Sequence, residues 1–152
     1  TRAQIDIPSV ESKVLDGNIG YIKISQFGDD TSTLATAAAR KFTEQNVKSV
    51  VLDLRGNPGG YLDSAVSVSS LWLGGGKTVL EEKRDNVTIK TYRSTGDGIL
   101  KGLPTVVLID EGSASASEIT AGALHDNDAA TLIGAKSFGK GSVQQPETLK
   151  NG

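Results

Sequence analysis

Three apolar runs, each breaking into a loop rich in glycine or serine, constrain this chain more than any other feature of its sequence. Val47–Leu54 (VKSVVLDL) ends in RGNPGG at Arg55–Gly60, Thr105–Asp110 (TVVLID) ends in EGSASAS, and Ala130–Gly134 leads into GAKSFGKG at Gly134–Gly141. The first run is rich in β-branched and apolar residues, as suits a strand covered on both faces. The second, opened by Pro104, is apolar enough to be central in a sheet, and the third reads as a shorter strand. Gly-Asn-Pro-Gly-Gly is a concentrated turn signal, so a chain of this kind must reverse or change element there.

The intervening segments have helical spacing. Leu34, Ala38 and Phe42 recur every four residues within Asp30–Asn46, with Asp30 or Thr31 available to cap the start. A second helix is predicted over Tyr61–Leu73, stopped by Gly74-Gly75-Gly76, and a third over Ser113–Asn127, rich in Ala and other small residues. Ile19–Ser25 alternates in part and reads as a strand, and Thr78–Tyr92 reads as two strands turning at Arg84-Asp85-Asn86. Arg93–Gly102 is expected to be a surface loop and Ser142–Leu149 to be extended. Residues 1–16 are expected to form a linker or strand segment before one core spanning 17–152. Strand and helix alternate, so the expected class is α/β: a mostly parallel sheet with flanking helices and right-handed crossovers.

Composition narrows the chemistry. The chain has 152 residues, 16 Lys+Arg against 18 Asp+Glu, and 37% hydrophobic residues, which suits one ordinary globular domain. A formal charge of -2 argues against a nucleic-acid partner. With no Cys, thiol chemistry and Cys-based metal sites are excluded, and the single His125 excludes a two-His zinc motif. No metal or cofactor is therefore expected. There is also no Met, even at position 1, which is expected of a piece cut from something longer. Glycine is high, 18 residues, against a usual ~7% of a chain.

In such sheets, sites form where strand ends lead into loops and helix N-termini, and the three loops could converge on one side. Ser115–Glu118 matches the capping box S-x-x-E, a structural reading; the same hydroxyl beside unpaired amides of a helix N-terminus could also serve as a nucleophile. Ser113 and Ser117 are rival candidates by spacing alone. The only Ser-His arrangement would pair Ser115 with His125, ten residues along the same helix and about 15 Å away at a 1.5 Å rise. Lys140 can fold back to the helix start more readily. GAKSFGKG nearly spells a phosphate-binding P-loop, but Gly141 replaces the hydroxyl residue and Pro146 follows where a helix is required, so no nucleotide is expected.

LDLRGNPGG at Leu52–Gly60, GSASASEITAGAL at Gly112–Leu124 and SFGKGSVQ at Ser137–Gln144, in this order, resemble the carboxy-terminal processing peptidases, or tail-specific proteases. The resemblance covers nearly the whole chain from about Gly17. It implies a crotonase-like (ClpP-like) core and a serine endopeptidase with a Ser-Lys pair: Ser115 as nucleophile, Lys140 as general base, and Gln144 positioning the lysine. It implies oxyanion donors at Ala116 and at one of Gly59 and Gly60, with Gly60 preferred, and it brings in Asp126 as a further acidic candidate. Lysine can be a base near neutral pH only if its pKa falls from about 10.4 towards 7–8, which desolvation can achieve. Gln144 could orient the amine without adding negative charge.

The same resemblance implies protein or peptide substrates with exposed C-terminal tails and a site of action outside the cytoplasm. Of the family's pattern, the PDZ-like domain and the strands that normally continue after Asn151-Gly152 are expected to lie outside this chain. An alternative is a non-catalytic core that uses the same crevice to bind extended peptides. The oligomeric state is left open by the sequence.

Overall fold

The computed structural model describes residues 7–141. A five-stranded sheet is built from β1 (Val10–Leu15), β2 (Ile19–Ile24), β3 (Ser49–Asp53), β6 (Thr105–Ile109) and β7 (Thr131–Gly134), in the spatial order β1-β2-β3-β6-β7. β1 pairs antiparallel with β2, and every other pairing is parallel. Between β3 and β6 the chain also makes a separate two-stranded ribbon, β4 (Thr78–Arg84) and β5 (Val87–Arg93). Its turn places Asp85 and Asn86 at φ 51° and 64°, the two left-handed positions a tight hairpin requires.

Three helices connect the parallel strands: α1 (Thr31–Glu44), α2 (Leu62–Leu73) and α3 (Ala116–Asp126). Because β2, β3, β6 and β7 lie side by side in chain order, crossovers of one hand put all three helices in a row on one face. α2 accordingly packs against both α1 and α3. Beneath them, Ile22, Leu52 and Val107 stand in register across the sheet and are fully buried. α1 contributes Ala35, Ala38, Ala39 and Phe42, and Trp72 of α2 donates its indole N–H to Thr105 Oγ1 at 2.9 Å, satisfying a polar atom that burial would otherwise penalise.

Within the described residues the predicted elements are present, with four adjustments. β3 is central in the sheet, yet helices cover only one of its faces among the described residues; Val51 is half-buried on the other, beside Val106. Asp30 occupies the cap position of α1 but makes no side-chain bond to the helix, because its carboxylate accepts the Ser9 amide instead, at 3.0 Å. The Arg93–Gly102 loop is anchored, with Leu100 fully buried and its amide donating to Leu71 O at 2.7 Å. The third helix starts at Ala116, later than Ser113, because residues 113–115 are drawn into the preceding turn. Ser142–Leu149 lies outside the described residues.

Candidate active site

The loop after β3 is tied down at both ends. Asp53, 2% exposed, accepts the Arg55 amide, Arg55 Nε at 2.9 Å and Nη2 at 2.7 Å, and the Tyr21 hydroxyl at 2.7 Å. Burial opposes ionisation of Asp53, but the bonds from Arg55 and Tyr21 and the Arg55 charge outweigh it and hold the carboxyl at about 2. Further on, Asn57 is fully buried and acts as a hub. Its Nδ2 donates to Ile24 O at 2.8 Å, its Oδ1 accepts the Gly59 amide at 2.9 Å, and its carbonyl accepts both the Ala114 amide and Ser117 Oγ. Asp110, at the end of β6, accepts the amides of Gly56 and Gly112 and so joins this loop to the next.

Two glycines of the loop are there for space. A Cβ on Gly59 would stand 2.7 Å from Ser115 Cβ, and one on Gly60 only 2.1 Å from Phe27 O. Phe27 N–H donates to Gly59 O and Tyr61 N–H to Phe27 O, so the loop makes a parallel bridge that turns the Gly60 amide away from Phe27. The Gly59 amide is committed to Asn57; that of Gly60 has no acceptor among the described residues. Ala116 is the first residue of α3, and its amide likewise lacks a protein acceptor there, as the first turn of a helix dictates.

Ser115 lines the same cleft as Gly60 and Ala116, with φ 52° and ψ -116°. A non-glycine residue in such a conformation costs on the order of 1–3 kcal/mol and persists only where its neighbours over-determine it. Here they do. Ser113 Oγ donates to Leu54 O at 2.8 Å and accepts the Asp110 amide, the Ala114 amide goes to Asn57 O, and Ser117 Oγ goes to the same carbonyl at 2.9 Å. The rival serines are thus spent on structure. Ser115 and Glu118 are placed as a capping box, in which the Glu118 carboxylate accepts the Ser115 amide at 3.0 Å, and Ser115 lines a cleft of about 1020 Å³.

Lys140 lines the same cleft, with Gly60, Ala116 and Asp126. Its loop is hung from Glu118: Oε1 accepts Ser137 Oγ at 2.7 Å and the Gly139 amide at 2.6 Å, and Oε2 accepts the Lys140 amide at 2.9 Å. Burial opposes ionisation of Glu118, but its donors prevail and hold it below the usual carboxylate range. The Phe138 amide adds a bond to Ser113 O. The Lys140 side chain is exposed, and among the described residues no hydrogen bond joins it to Ser115. Asp126 sits at the far end of α3, exposed and 3.2 Å from His125 Nδ1. Gln144 lies outside the described residues. No group of three or more His, Asp or Glu among them could hold a metal ion.

Sequence reasoning saw Glu118 only as half of a cap, and it passed over Asn57, Asp53 and Asp110. An Asn before Pro inside a glycine-rich turn is a signal for a side chain that bonds its own backbone, and Asn57 does so. The wider reach of these residues involves partners 19 to 60 positions away, for which no local pattern exists.

Comparison with known proteins settles the lineage. The profile of Peptidase family S41 matches residues 18–152. The chain belongs to this family. A "Probable CtpA-like serine protease" of Staphylococcus aureus is 42% identical over 155 residues, covering 99% of this chain and 30% of that protein. The "Carboxy-terminal processing protease CtpA" of Bacillus subtilis is 36% identical over 99% of this chain and 32% of its own length. Among solved structures, the photosystem II D1 C-terminal processing protease superposes with a TM-score of 0.85 at 29% identity, over 95% of this chain and 41% of that one. The S41 chain described here therefore spans less than a third of the length of these two sequence relatives. No helix among its described residues is long and apolar enough to cross a membrane.

Proposed function

We propose that this chain is the catalytic core of a serine endopeptidase in which Ser115 is the nucleophile and Lys140 the general base, acting on protein chains near their C-termini. One observation carries the reading: a strained Ser115 lines one cleft with Gly60 and Ala116, whose amides have no acceptor among the described residues, and with Lys140. Neutral Lys140 takes the proton of Ser115 Oγ as that oxygen bonds to the peptide carbonyl carbon. The carbonyl oxygen becomes an oxyanion held by the two amides. The C–N bond then breaks as Lys140 returns the proton to the leaving amine, and water, deprotonated by the same lysine, releases the acyl group and restores Ser115.

A peptide laid along the cleft would remove water from Lys140, which is the condition lysine needs to act as a base. Gln144 is proposed to orient the amine, and Gly59 is assigned a packing role in place of an oxyanion one. The names of the relatives support C-terminal processing as the reaction; a PDZ-like tail-binding domain beside this core and action outside the cytoplasm are proposed on the family resemblance alone. The exposure of Lys140 favours a second reading, a core that binds peptides without cleaving them.

The test is made in the whole protein that carries this chain. Ser115→Ala and Lys140→Ala should each lower peptide hydrolysis by at least about 10³-fold while circular dichroism is unchanged, and Ser115 should be labelled by a fluorophosphonate. Retention of most of the rate by Lys140→Ala would reject the base. Tail-peptide binding with no labelling would favour the second reading.

A further inference from the structure

Gly122 is the residue of α3 hardest to explain by folding. Glycine in a helix interior is unfavourable relative to alanine, because it adds backbone entropy to the unfolded chain and packs nothing. Three structural reasons could retain it, and none applies. Its φ is not in the left-handed region; the helix runs on past it to Asp126; and a Cβ built on it meets no heavy atom within 4 Å. The contrast with Gly59 and Gly60 is sharp, since a Cβ at either would collide with backbone or with Ser115.

What Gly122 does face is the cleft. It follows Ser115 by two helical turns, and Ile119, one turn on, lines the same cleft, so the three share one side of α3. Val79 and Leu80 of β4 and Ala123 of α3 line the same cleft, whose polar lining includes Glu81, Lys83 and Asp126. Asn127 Nδ2 donates to both Thr78 O and Ala123 O, fixing the spacing between helix and strand at this end. The volume a side chain at position 122 would fill is thus open to a cleft to which Ile119, Val79 and Leu80 contribute apolar surface.

We infer that Gly122 is a specificity-determining residue whose missing side chain keeps open an apolar subsite for a large aliphatic or aromatic side chain of the substrate. Two turns of helix are about 10 Å, equal to about three residues of extended chain, so the recognised side chain lies about three positions from the cleaved bond. The inference rests on the peptidase reading above and adds the side-chain preference of that site.

The experiment uses the whole protein with Gly122→Ala and Gly122→Leu, and a peptide panel in which each of the four positions on either side of the scissile bond carries Ala or Leu. The expected result is that Gly122→Leu lowers the Leu-over-Ala preference in kcat/KM about tenfold at one position, about three residues from the bond, and leaves the preferences elsewhere within twofold. Gly122→Ala, which adds one methyl group to open space, should lower it about threefold and raise Tm slightly; it keeps the test open should the Leu variant fold poorly. Equal loss for every peptide, or no change in any preference, overturns the inference. If the wild type cleaves nothing and is not labelled at Ser115, the peptidase reading fails by itself. The same panel read by fluorescence anisotropy then still decides whether position 122 selects a bound side chain.

Discussion

The two walls that bring Ser115 and Lys140 to one cleft are held in very different ways. On the Ser115 side, two loops are knitted together through the buried hub Asn57, the Asp110 carboxylate, and glycines that leave no room for a Cβ. On the Lys140 side, the bonds that hold the loop among the described residues are those to one carboxylate, Glu118, one from Phe138 to Ser113 O and, at the loop's base, one from Ala135 to Ile109 O, and its lysine is exposed. An oxyanion hole must be preorganised, since donors that reorient during the reaction lose their advantage over water. A base that has to lose water when substrate arrives gains from a position at the open edge. The rigid wall suits the first task and the suspended loop the second.

This contrast can be broken at several points, taken here from the largest expected effect to the smallest. Gly60→Ala forces a Cβ into Phe27 O and should cost about 3 kcal/mol of stability, together with the hydrolytic rate, in denaturant unfolding and kinetic assays. If it is tolerated within about 0.5 kcal/mol, the wall is not rigid. Glu118→Gln offers an amide nitrogen where the structure has only donors; kcat should fall about 100-fold with a smaller loss of Tm, because the loop that carries Lys140 is released. A fall in Tm with kcat unchanged would show that the carboxylate serves folding alone.

Asp53→Asn, behind the rigid wall, should cost about 2 kcal/mol at pH 7, from a carboxyl held at about 2 against an unfolded value near 3.9. Since the folded-state value is the lower one, this stabilisation is complete above about pH 4 and is lost as pH falls through about 2. Thermal melts of wild type and variant should therefore converge over that window; a constant gap would mean that the Asp53 charge is not the source. Ser117→Ala, which removes one bond to Asn57 O, should cost only about 1 kcal/mol and keep kcat/KM within about threefold. A much larger kinetic loss would restore Ser117 as a rival to Ser115.

Much of this was readable along the chain, and the exceptions share a cause. The alternation of apolar runs with helical spacing implied the parallel sheet, since strand and helix periods are local properties of the backbone. The three loops that meet at the cleft were identifiable for the same reason, because glycine, proline and serine act on the residues beside them. The half-covered face of β3 was not, because Val51 and Val50 are chemically alike and only the tertiary arrangement puts one of them beneath helices. Among Ser113, Ser115 and Ser117 the spacing could not choose either; the choice follows from which hydroxyls find carbonyls at Leu54 and Asn57, far away in sequence.

By itself, then, the sequence determined the class of fold, the family and a short set of candidate residues, because these depend on residue types at close spacing. Only the tertiary structure decided which serine faces the cleft, which glycine amide is uncommitted, and that Glu118 joins the helix of Ser115 to the loop of Lys140. Those are matters of which donor meets which acceptor once the chain is packed, and hydrogen bonding is directional and short in range.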